Sequence, residues 1–136
     1  GADYQHYKAA VSDYSKVLNL DDTHTQSLFF RGGAHSTMGF LDQARVDYES
    51  SLIIDDNQPA VLNSLAVIYA RTGNPTKAMI HIDKAIRQAP NYAKAYANKG
   101  KIHDMLRQTE VACENWSKSG ELGKIEAYEY ISKYCQ

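Results

Sequence analysis

Apolar residues recur along this chain at two spacings, a short one of three to four residues and a long one of 34. Ala10, Ala44, Ala78 and Ala112 stand 34 residues apart without an insertion. Four residues after each comes a large side chain, Tyr14, Tyr48, Ile82 and Trp116. Four further on are Leu18, Leu52, Ile86 and Gly120. Steps of four keep side chains on one side of an α-helix, so each set forms a single stripe. The other half of the period carries a second stripe. Gly32, Ala66 and Gly100 share one phase, with Leu28, Leu62 and Tyr96 four residues before and His35, Tyr69 and His103 three after. Each period therefore predicts two amphipathic helices. Met38-Gly39 and Thr72-Gly73-Asn74-Pro75 separate them, Gly73 suiting a left-handed cap and Pro75 the first turn of the next helix. Asn57-Gln58-Pro59 and Ala89-Pro90-Asn91 mark the boundaries between periods. The helices predicted are 3–20, 25–38, 41–54, 59–72, 75–88, 93–106, 109–121 and 125–134.

These positions resemble the tetratricopeptide repeat, whose pattern is W-x2-L-G-x2-Y…A-x3-F…P. One copy reads Leu62-x2-Leu65-Ala66-x2-Tyr69…Ala78-x3-Ile82…Pro90, and the next Tyr96-x2-Lys99-Gly100-x2-His103…Ala112-x3-Trp116. The copy before them reads Leu28-x2-Arg31-Gly32-x2-His35…Ala44-x3-Tyr48. Arg31 and Lys99 stand where Leu is usual, and Asp22, Asp56 and Lys124 where Pro is usual. The resemblance implies an all-α, right-handed superhelical solenoid of antiparallel helix pairs. Its expected division is a partial repeat over 1–24 (second helix only), repeats over 25–58, 59–92 and 93–124, and a capping helix over 125–136. A single hairpin cannot bury both its faces, so stability comes from stacking.

The two ends read differently. The chain opens in the stripe Tyr7, Ala10, Tyr14, Val17 and Leu18, with no leading helix before it. Two readings stay open: a longer array cut at this point, or a first helix that caps itself. The former predicts an apolar patch and a homodimer through the open N-terminal helix face. At the other end Gly120 and Gly123 are expected to break the chain. Ile125, Tyr128, Ile131 and Tyr134 would then cover the last hairpin, while Glu126, Glu129 and Lys133 face water.

Composition adds exclusions. Apolar residues make up 43% of the chain, enough for a continuous core. Net charge is -1, from 15 basic and 16 acidic side chains, which argues against nucleic acid because a duplex needs a basic face. No stretch approaches the roughly 18 apolar residues of a membrane span, so membrane insertion is not expected. The start, Gly1-Ala2-Asp3-Tyr4, lacks the basic and apolar runs of a signal peptide.

Candidate chemistry is sparse. Cys113 and Cys135 are equidistant from the turn between the last two helices, which allows a disulfide. In the chain-entropy model it would contribute roughly 3 kcal/mol and imply an oxidising compartment. The chain's ending also resembles the tails of bacterial tetratricopeptide proteins, some of them exported. His35 and His103 take the phase of Tyr69, so packing accounts for them, and His24 falls at a turn. Neither H-E-x-x-H nor C-x-x-C is present, and Arg31-Gly32-Gly33-Ala34 falls inside a helix rather than in a phosphate loop. No metal, cofactor or enzymatic activity is expected. Asp21-Asp22 and Asp55-Asp56 read as acidic complements to helix N-termini.

In the family that the pattern resembles, the first helix of each pair lines the concave side. Removing the buried stripe leaves Gln26, Phe29 and Gly33, then Asn63, Val67 and Arg71, then Lys94, Asn98 and Lys101 as a peptide-binding groove. Asn63 is expected to pair with a peptide backbone. Charge is uneven: residues 25–58 hold 2 basic and 5 acidic side chains, and residues 59–92 hold 4 and 1. A ligand acidic toward the later repeats would suit this gradient. Chaperone-binding members grip a terminal carboxylate with Lys, Asn, Asn, Lys and Arg. The corresponding positions here are Phe29, Gly33, Ser64, Lys94 and Asn98, of which only Lys94 agrees. The expected function is a non-enzymatic protein- or peptide-binding adaptor, with a structural spacer or oligomerisation module as the alternative.

Overall fold

The computed structural model describes residues 1–136, and they form eight helices and no strand. These are α1 (Ala2–Leu20), α2 (Thr25–Thr37), α3 (Leu41–Ile54), α4 (Pro59–Arg71), α5 (Pro75–Gln88), α6 (Ala93–Met105), α7 (Thr109–Glu121) and α8 (Ala127–Tyr134). Pro59 and Pro75 open their helices, where the missing N–H has no partner to lose. Asn74 caps α5 by accepting from the Lys77 amide at 3.2 Å. His24 caps α2, its Nδ1 accepting from the Ser27 amide at 3.1 Å, so its position at a turn has a structural use.

Every helix packs on its neighbours in sequence, and α4 also touches α6. The tightest pairings are α2 with α3, α4 with α5 and α6 with α7. These are the hairpins, which stack through α3 on α4 and α5 on α6. The small residues permit this. Tyr48 lies across Gly32 and Trp116 across Gly100, so closely that a Cβ at Gly100 would sit 2.4 Å from the indole nitrogen. Ala44, Ala66, Ala78 and Ala112 are wholly enclosed. One continuous core runs from Ala44 to Ile102, and a satellite of Ala112, Trp116 and Ala127 lies under α8.

Polar ties repeat with the same period. Ser51 Oγ donates to the Thr25 carbonyl at 3.5 Å and Ser119 Oγ to the Ala93 carbonyl at 2.7 Å, each closing its own hairpin. Between hairpins, α2 reaches back to α1 through Arg31 and Ser15, α4 to α3 through Tyr69 and Glu49, and α6 to α5 through Lys99 and Asp83. Arg31 and Lys99, which replace the usual Leu, are both explained by these ties.

Several expectations are corrected. Helix α8 starts at Ala127 rather than 125, in phase with the starts of α2, α4 and α6 at 25, 59 and 93. Ile125 is consequently 74% exposed, whereas Ile131 packs on the core as expected, joined there by Ala127 and Tyr130. Gly120 lies inside α7, covered by the Tyr128 ring, and does not break the chain. Asp21 and Asp55 follow α1 and α3 and accept from the Thr23 and Asn57 amides at 3.0 Å, so they shape turns rather than cap helix N-termini.

Candidate functional site

The first helices of the hairpins, α2, α4 and α6, lie side by side along one face and are cross-linked there. Asn98 Nδ2 donates to Asn63 Oδ1 at 2.9 Å, and Arg71 Nη1 donates to Ser36 Oγ at 3.3 Å. Between α4 and α6 this face opens into a cavity of about 490 Å³. Val67, Ala70, Ile102 and Met105 give it an apolar surface, while Arg71, Asn98 and Lys101 supply the polar edge. None of the chain's ion pairs involves Arg71, Lys94 or Lys101, so all three cations lack an internal carboxylate partner. Lys101 instead rests over the Tyr130 ring, its nitrogen 5.1 Å from the centroid. The arrangement offers apolar burial, two cations without carboxylate partners and one amide, which can bury an apolar group and meet an anion.

The residues singled out from the sequence divide into groups. Val67, Arg71, Asn98 and Lys101 meet around this cavity. Phe29 and Gly33 line a different depression, of about 310 Å³, between α1 and α2, together with Tyr7, Ala10 and Tyr14. Gln26 and Lys94 are exposed and line neither. Asn63 departs from expectation: it is only 3% exposed, bonded to Asn98, and set beside the Tyr92 hydroxyl. Burial pushes the Tyr92 phenol above its ordinary value, and the Asn63 hydrogen bond partly offsets this. Its amide therefore braces α4 against α6 instead of waiting for a peptide backbone. Ile102 and Met105 were missed, although Met105 stands 34 residues after Arg71 and shares its phase.

Cys113 and Cys135 are joined as a disulfide, with Cα atoms 5.9 Å apart, and it ties the end of α8 to α7. No group of three or more His, Cys, Asp or Glu is placed to hold a metal ion. No helix is long and apolar enough to cross a membrane.

Residues 59–92, which form α4 and α5, match the family model of the tetratricopeptide repeat. The chain is a tetratricopeptide repeat protein. Its antiparallel pairs stack as the right-handed solenoid of that family, closed at the C-terminal end by α8. Relatives of this repeat protein include the human peptidyl-prolyl cis-trans isomerase FKBP4, 30% identical over 127 residues. That match covers 90% of the chain but only 27% of FKBP4, so the isomerase activity in the name is said of that protein alone. The photosystem I assembly protein Ycf3 of Prochlorococcus marinus is 31% identical over 94 residues, 65% of this chain and 54% of Ycf3. The chain thus spans about a quarter of one relative and half of the other. Among solved structures, a crystal structure of MamA superposes with a TM-score of 0.82 at 22% identity, covering 90% of this chain and 72% of MamA. The first repeat domain of Spaghetti (RPAP3), bound to the HSP90 peptide SRMEEVD, gives 0.77 at 23% identity, covering 81% and 91%.

Proposed function

We propose that this repeat domain is a non-enzymatic adaptor that holds an extended acidic peptide segment against α4 and α6. One observation carries the reading: an apolar cavity edged by Arg71 and Lys101, two cations that nothing in the chain neutralises. A ligand with an aliphatic side chain flanked by carboxylates would bury the former on Val67, Ala70, Ile102 and Met105 and meet the latter at the edge. The RPAP3 domain, a similar fold, holds a peptide of this general chemistry. The grip differs in detail, because only Lys94 of the five carboxylate-gripping positions is basic or amide in the expected way. The test replaces Arg71 and Lys101 with Ala and follows binding of an acidic, leucine-containing peptide by anisotropy. Each change is expected to weaken binding by about 1 kcal/mol. Unchanged affinity in the double variant would remove the cavity from consideration. Asn63 is unsuited to this test, since its loss would strand Asn98.

A second reading, self-association, is favoured by the apolar surface shared by α1 and α2. Phe30, about two-fifths exposed, lines the depression with Tyr7, Ala10 and Tyr14, and Tyr4 and Val17 of α1 are exposed to the same degree. Light scattering over a concentration series should show a dimer that Phe30→Ser returns to monomer. A wild-type chain monomeric throughout would dismiss it. The location of the protein follows the same logic: the Cys113–Cys135 bond favours an oxidising compartment, which a thiol-trapping assay on the native protein would test.

A further inference from the structure

We propose that Tyr130, held in place by the Cys113–Cys135 disulfide, positions Lys101 at the edge of the groove, so that reducing this one bond weakens the binding of acidic peptides. The proposal rests on the groove reading above and adds its regulation. Cys113 lies near the start of α7 and Cys135 directly follows α8. Helix α8 has eight residues, too few to be stable alone in water, and only Ala127 of it is fully buried. It docks through Ala127 and Ile131 in the core, Tyr128 over Gly120, two rings against Trp116 and the disulfide, which alone fixes its last turn covalently. Tyr130 stacks on Trp116 with centroids 5.3 Å apart, and Tyr134 leans on the same indole at 5.8 Å.

Tyr130 is thereby shared between two duties. Its ring stacks with Trp116 and also carries the Lys101 ammonium, 5.1 Å from its centroid. Lys101 has no carboxylate partner, so this ring is what fixes the direction of a cation that also lines the groove cavity. Releasing α8 removes the ring and lets the long lysine side chain scatter among rotamers, at a cost in binding. The bond is reachable: both cysteines are only partly buried and line an open surface depression with Thr109, Glu110 and Tyr134.

The chemistry is ordinary thiol–disulfide exchange. A thiolate of a dithiol reductant attacks one cysteine sulfur, the S–S bond breaks, and the other cysteine leaves as thiolate and takes a proton. The second thiol of the reductant then resolves the mixed disulfide. Two electrons and two protons end on Cys113 and Cys135, and the reductant departs as its own disulfide.

The experiment compares the whole chain oxidised and after dithiothreitol. Trp116 is the only tryptophan, so its emission reports whether α8 covers it. The ring-current shift of the Lys101 ε-methylene protons reports its contact with Tyr130. A fluorescein-labelled acidic peptide with one leucine reports the groove. Reduction should redden Trp116 emission, erase the Lys101 shift and weaken peptide binding about threefold, the scale of one partly exposed charge contact. Tyr130→Ala should show the weakened binding with the disulfide intact, and Lys101→Gln should bind weakly without responding to reduction. Unchanged Trp116 and Lys101 signals on reduction would overturn the proposal, and so would equal affinity in both states. Loss of overall helicity on reduction would overturn it as well, by assigning the bond to the whole fold. An oxidised chain that fails to bind the peptide sinks the groove reading itself, and the regulation with it.

Discussion

Gly39 and Gly73 end the first helices of their hairpins with φ of +84°, and the equivalent third position is Arg107, with φ of 61°. A side chain in this left-handed region costs roughly 1–2 kcal/mol, which glycine avoids. Arg107→Gly should therefore stabilise the chain by about 1 kcal/mol, part of the relief being offset by glycine's freer unfolded state. A urea midpoint that falls, or stays put, would show the strain to be absorbed elsewhere. The opposite sign is expected at Gly100. A methyl group there would meet Trp116 at 2.4 Å, and the ring has no room to retreat because it is enclosed and donates to the Ala97 carbonyl. Gly100→Ala should cost about 1–3 kcal/mol in the same assay, as overpacking generally does. Gly100 was legible beforehand as a small site in a 34-residue phase, because steric demands repeat with the period; Arg107, in the phase of Gly39 and Gly73, was not singled out.

Polar contacts between elements were less legible, and Asp47 shows why. The sequence pattern did not single it out, yet it is 2% exposed and holds α2 to α3. Arg31 donates to it at 2.7 Å and His35 shares its other oxygen at 2.9 Å. The same phase holds Asp13, His81 and Asn115, and Asp13 is exposed, so repetition gave no warning of a buried pair. Sequence pattern detects what every copy needs, whereas a single ion pair is specific to one joint. Arg31→Leu, which restores the usual family residue, should cost roughly 2 kcal/mol by leaving the buried Asp47 with His35 as its one partner. Adding Asp47→Leu should recover most of that loss, since apolar pairs of similar size often replace buried ion pairs without penalty. Additive losses in the double-mutant cycle would contradict the pairing. The N-terminal boundary of α8 escaped the sequence for a related reason. Lys124, Ile125 and Glu126 continue the helical pattern, but a turn through Gly123 sets the start at Ala127.

At the scale of the molecule, the joints between hairpins decide whether the stack behaves as one unit, and three tyrosines occupy them. Tyr48 lies between α2 and α3 within reach of Ser64 on α4, Tyr69 of α4 donates to Glu49 of α3, and Tyr92 enters α6 beside Asn63 of α4. Burial is the leading cause that raises all three phenols above their ordinary value of 10. Tyr69, which must also surrender its bond to the Glu49 carboxylate, is pushed up to about 12. The unfolded chain ionises near 10, before these phenols ionise in the stack, so deprotonation first favours unfolding. The neutral tyrosines thus contribute in full below pH 10, and their contribution drains away as pH rises from 10 toward 12. Denaturant midpoints should be level from pH 8 to about 9.5 and fall steeply above 10. Tyr69→Phe should lower the plateau through the lost Glu49 bond while flattening the alkaline decline. Because stacked repeats transmit stability only through their interfaces, the decline should be shared by probes at both ends of the chain. A steep decline as strong in Tyr69→Phe as in the wild type would place the alkaline sensitivity elsewhere than at this joint.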